Sequence, residues 1–78
     1  MDRQSATRIE AIMREVCMRL NESVRLVREG SAPQEFQEFR RTIGRIMGAI
    51  FLDVQQPIYD QFPELTPDEL KSPAAPSD

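Results

Sequence analysis

Two long stretches of the chain space their apolar residues as one face of a helix requires. From about residue 5 to 29, Ile9, Ile12, Met13, Val16, Cys17, Leu20, Val24 and Val27 recur at i, i+3, i+4 and i+7. At 100° per residue they fill one arc of about 140°. Arg3, Arg14, Arg25 and Arg28 occupy one flank of that arc, and Arg8, Glu15, Arg19 and Glu22 the other. Glu10 and Arg14, like Glu15 and Arg19, stand one turn apart in the acid-first order that supports a helix. From about 33 to 55 the pattern returns with Phe36, Phe39, Ile43, Ile46, Met47, Ile50, Phe51 and Val54 on a stripe of similar width. Glu38, Arg41, Thr42, Arg45, Ala49 and Asp53 lie opposite. Gly44 and Gly48, one turn apart at the margin of the second stripe, predict close packing of a neighbouring helix.

The link between the stripes, EGSAPQ, reads as a stop signal followed by a start signal. Gly30 suits a left-handed helix end, Ser31 an N-cap with Gln34 closing a capping box, and Pro33 the first turn. Two long helices joined so tightly form an antiparallel hairpin. Pro57 lacks an amide hydrogen, so the second helix is expected to end or kink before it. Residues 57–71 read as a short helical segment docking on the hairpin (residues 1–56), with one more turn at Thr66–Leu70. Residues 72–78 have nothing to bury and are expected to be disordered.

With 78 residues there is room for one domain. A core of this size supplies about 3–5 kcal/mol, and small domains commonly add disulfides, a metal or a second chain. The chain has one cysteine, Cys17, and no histidine, so neither an intrachain disulfide nor a Cys/His zinc site of the usual kind is expected. A second chain remains. Stripes this wide exceed the seam that two helices need, and the surplus would form a long apolar ribbon. The expected fold is all-α, a helical hairpin plus short C-terminal helix, pairing into a dimeric four-helix bundle. Ile9, Ile12, Val16, Leu20, Val24, Phe39, Ile43, Ile46, Met47, Ile50 and Phe51 would supply its core and interface.

Charge narrows the partners. Residues 1–52 carry all nine arginines against seven acids, while 53–78 carry Lys71 against six, so the tail is acidic and the net charge is −3. That balance argues against a dedicated nucleic-acid binder. The eleven-residue repeat of Arg3, Arg14 and Arg25 keeps an alternative open, a nucleic-acid or anionic-membrane surface on the first helix. The longest apolar window, Ile46–Leu52, is far short of the roughly 20 residues that cross a bilayer. With no signal-peptide core at the start and a lone thiol, the expected location is the cytoplasm.

No phosphate loop, nucleophile elbow or metal-ligand spacing is present in the sequence. The carboxylates of the first helix lie beside arginines and read as a solvated flank, so no catalytic residue, cofactor or metal is expected. Cys17 reads as a small buried hydrophobe. The function expected is a non-catalytic, homodimeric protein-interaction module of the adaptor, small-chaperone or regulator kind, possessing room for a heterologous protein partner. Met18, Leu26 and Leu52, which lie off the stripes, and Tyr59, Phe62 and Leu65 in the C-terminal segment form the candidate partner surface.

Overall fold

A computed structural model describes residues 1–70; the expected disorder of 72–78 lies outside the described residues. Among those described there is no strand. Helix α1 spans Arg3–Gly30 and α2 spans Pro33–Ile50; a π-helical turn, Phe51–Gln55, leads into α3, Gln56–Gln61. Two 3-10 turns, Pro63–Leu65 and Asp68–Leu70, complete the described residues. No described helix is long and apolar enough to cross a membrane.

α1 begins two residues earlier than the apolar pattern suggests. The Asp2 side chain accepts the Ser5 amide at 2.7 Å and caps the helix, and this same bond draws the Asp2 carboxyl below its ordinary range. At the other end the expected left-handed glycine is not found. Gly30 is the last helical residue, no glycine has positive φ, and Ser31 and Ala32 turn the chain in extended conformations. Proline explains the shift. Pro33 at the first helical position forces the residue before it out of the α region, so Ala32 becomes the N-cap and Ser31 is displaced from that role. The capping box with Gln34 does not form, and α2 has no side-chain cap.

The hairpin is antiparallel and is closed at its far end by the C-terminal segment. Arg3 Nε lies 2.7 Å from Glu64 Oε2, and Gln61 Nε2 donates to the Met1 carbonyl oxygen at 3.4 Å. Ala6, Ile58 and Tyr59 are buried there, with Ile9, Phe51, Val54, Phe62 and Leu65 packed around them. The Phe51 and Tyr59 rings meet at 6.5 Å in a tilted arrangement.

Pro57 does not end the second helix. The ladder changes register instead: the Gln56 amide donates to the Phe51 carbonyl five residues back, and the backbone stays helical through Gln55 and Gln56. One additional residue enters the turn, which moves the ladder away from the α spacing at which a proline ring clashes. The consequence is rotational. In unbroken α register Tyr59 would lie about 160° around the helix from Ile43, on the outer side. The additional residue rotates α3 back by about 100°, which turns Ile58 and Tyr59 toward α1.

Gly44 and Gly48 have no close neighbour among the described residues. Outside α2's own backbone, no described atom lies within 4 Å of a Cβ built at either position, so no other described helix packs closely there. Both positions forgo helix propensity without an intrachain reason. Gly44→Ala and Gly48→Ala should each stabilise the chain by about 1 kcal/mol. Urea denaturation measures this, and a loss of stability in either variant would show that the folded chain itself needs the glycine.

Candidate interaction surfaces

Three regions of the hairpin carry the residues singled out from the sequence. The first is a polar knot beneath α3. Tyr59 Oη donates to Glu10 Oε2 at 2.6 Å, Gln55 Nε2 donates to Tyr59 Oη at 3.3 Å, and Arg14 Nε lies 3.1 Å from the same Glu10 oxygen. Glu10, Gln55 and Tyr59 are each at most 6% exposed. Glu10 is thus no part of a solvated flank, contrary to the sequence reading. Its charge is tolerated inside because a hydroxyl and a guanidinium both reach it. Periodicity could not show this, since the partner comes from 49 residues away. The only hint was local: Glu10 sits one turn after Ala6 and one turn before Arg14.

Burial raises the Tyr59 hydroxyl above the ordinary tyrosine value of 10.0, and the bond to Glu10 and its charge push the same way. The folded chain therefore holds that proton more tightly than the unfolded chain. The contribution is complete below pH 10.0 and declines as pH rises above it, because the unfolded tyrosine ionises first. The difference in urea midpoint between the parent chain and Tyr59→Phe should shrink between about pH 9 and pH 11. Taking the difference removes the Cys17 thiol, whose own pKa burial raises from 9.0. A constant difference would show that Tyr59 does not hold its proton.

The second region is the broad face of the hairpin on which Ile12 and Ile46 lie. Counted around each helix from its inward side, Ile9, Ile12, Val16 and Leu20 of α1 fall on the same face as Phe39, Ile46 and Ile50 of α2. Ile12 is 53% exposed and Ile46 is 44% exposed, while Ile9, Val16, Leu20, Phe39 and Ile50 are half-buried. A hollow of about 400 Å³ opens here between Ile12, Val16 and Leu20, rimmed by Glu15 and Arg19. Of the other residues expected at a core or interface, Ile43 is buried in the seam, and Val24, Met47 and Phe51 are half-buried.

The third region is the opposite face, where the C-terminal turns lie. A hollow of about 820 Å³ runs from Pro67 and Leu70 over Ala11, Cys17 and Met18 to Met47. It meets a second hollow of about 450 Å³, lined by Arg40, Arg41 and Gly44, at the shared residues Asn21 and Met47. Of the candidate partner surface, Met18 is exposed and borders this groove, and Leu26 and Leu52 are exposed elsewhere. Tyr59 belongs to the core, and Phe62 and Leu65 are half-buried against it, so these three close the hairpin. The inward turn of Tyr59 follows from the π register.

Of the three arginines repeating at eleven residues, Arg3 is paired with Glu64 and Arg14 with Glu10, so the row is not a uniform cationic rail. Burial pushes the half-buried Cys17 thiol away from the thiolate range. No family model, curated protein or solved structure matches the chain.

Proposed function

We propose that the chain is a non-catalytic protein-interaction module that acts as a homodimer, two hairpins packing through the Ile12–Ile46 face into a four-helix bundle. The observation that carries this reading is the contrast between that face and the thin core. Only Ala6, Ile43, Ile58 and Tyr59 are buried apolar residues among those described, and no large side chain is fully buried. Both long helices meanwhile turn isoleucines to solvent on one side. A core this small supplies little stability, and covering the face would add a second apolar layer.

The dimensions suit a second copy. Two helices side by side, each about 10 Å across, and about 27 Å of α2 give a footprint of roughly 500 Å² in projection. On a corrugated surface that approaches the accessible area of about 800 Å² that each partner contributes to a standard interface. The α1 hollow could receive a side chain such as the partner's Ile46, as a knob enters a hole. A two-fold axis uses the same patch twice, so one surface completes both subunits.

Sedimentation equilibrium tests the reading. A mass of twice 9.0 kDa is expected at micromolar concentration, falling toward 9.0 kDa on dilution. A fully helical monomer at that concentration would refute the dimer.

A further inference from the structure

We infer that the groove on the opposite face, beside the C-terminal turns, receives a short amphipathic helix with acidic residues in its first turn from a partner protein. This surface meets the dimer face only at the rim residues Glu15 and Arg19, and the inference does not depend on the dimer. The two hollows join at Asn21 and Met47, so the groove is continuous along the α1–α2 seam. From Ala11 to Val24 it follows α1 for 14 residues, about 20 Å, the length of three to four helical turns.

Its walls change chemistry from end to end. One end is apolar, with Met18 at 66% exposure facing the groove together with Leu70 at 49%; Arg14 and Arg19 also line it but are paired with Glu10 and Glu22, which leaves the charges of Glu15 and Glu69 there. The other end carries Arg40 and Arg41, neither of which has an ion-pair partner among the described residues. Methionine and leucine at an open groove offer adaptable apolar contact. The unmatched arginines call for carboxylates. A helix lying with its N-terminus at Arg40 and Arg41 and its C-terminus at Glu15 and Glu69 would match both ends. Its macrodipole favours acids in the first turn and bases in the last.

Two further observations fit an occupant from outside the chain. Gly44 lines the arginine end, Gly48 follows one turn later, and both stand open where a neighbouring backbone could approach. At the floor Gln55, 6% exposed, uses its amide N–H on Tyr59, and its carbonyl oxygen has no donor among the described residues. A donor side chain of the occupant would satisfy it. A nucleic acid or anionic membrane fits less well, since Arg14 and Arg19 at the apolar end are already paired with Glu10 and Glu22, and Glu15 and Glu69 would repel phosphates there.

The test is selection from a displayed library of amphipathic helices about 14 residues long, randomised at their polar positions, against the full chain. Selected peptides should carry acids in the first turn and bases in the last. Arg40→Glu with Arg41→Glu should weaken the selected peptides at least about tenfold. Gly44→Leu with Gly48→Leu should abolish binding, each variant retaining the parent's helical circular dichroism. If the leucine pair unfolds, Gly44→Ala with Gly48→Ala takes its place and should weaken binding at least about threefold. Glu38→Ala, on the outer side of α2 and outside both surfaces, should leave affinity unchanged. Failure to enrich any peptide, enrichment without charge bias, or affinity indifferent to both variants would overturn the proposal. Binding instead to single-stranded DNA or anionic vesicles, steeply reduced by salt, would assign the groove to phosphates.

Discussion

Tyr59→Ala should leave the chain largely unfolded at 25 °C. The ring is 5% exposed, packs against Phe51 and belongs to the buried cluster with Ala6 and Ile58. Truncating a buried aromatic side chain typically costs about 3–5 kcal/mol. That equals the whole stability a core of this size is expected to provide. The substitution also strips the hydroxyl from Glu10, leaving a buried carboxylate with Arg14 alone, a further loss of about 1–3 kcal/mol.

Tyr59→Phe separates the two contributions. The ring remains, so only the hydrogen-bonded part is lost, and the variant should fold with stability lower by about 1–3 kcal/mol. Urea denaturation followed by circular dichroism reads both. If Tyr59→Ala melts like the parent chain, the hairpin is held by α1 and α2 alone and the closure by α3 is incidental. If Tyr59→Phe equals Tyr59→Ala, the hydroxyl rather than the ring dominates, and the π-register argument loses its energetic basis.

What the sequence shows and what it conceals follow from the range of the forces. The stripes of α1 and α2 are readable because burial repeats at the helical period, and Ile43 or Val24 needs only its own helix to declare its side. Helix ends depend on single local bonds, and there two signals competed. Ser31 has the better capping chemistry, but Pro33 constrains Ala32 directly, and the steric constraint prevails. The start of α1 was missed because Asp2 precedes any apolar residue of the stripe. Pro57 was the deepest ambiguity. Its steric clash is evident in the sequence, but the remedy, one additional residue per turn, depends on what α3 gains by facing α1. Glu10 and Tyr59 each needed the other. Among the candidate surface residues, Met18 and Leu26 were recognised as outward because the wheel alone decides them, whereas Tyr59 was misplaced because its direction is set by the π turn upstream.

Ile12→Asp and Ile46→Asp should each convert the proposed dimer to monomer. Both side chains are substantially exposed in the single chain, at 53% and 44%, so replacing either removes little from the protomer's own core. In a two-fold interface each change occurs twice. Fully burying an isoleucine contributes about 1.5–3 kcal/mol, and about half of each side chain is left to bury, so two lost copies amount to about 1.5–3 kcal/mol before the aspartates are considered. Bringing a carboxylate into an apolar interface without a partner adds several kcal/mol more. Dissociation should therefore rise by at least about a thousandfold, since each 1.4 kcal/mol is a factor of ten. If folding depends on the second copy, the monomer produced will also lose helix, and the two readouts together distinguish the cases. A helical monomer would mean that the α3 closure is sufficient for folding and that the apolar face serves assembly. An unfolded monomer would mean that the four-helix core completes the fold. An unchanged dimer in both variants would exclude this face, leaving the exposed isoleucines without a role in self-association.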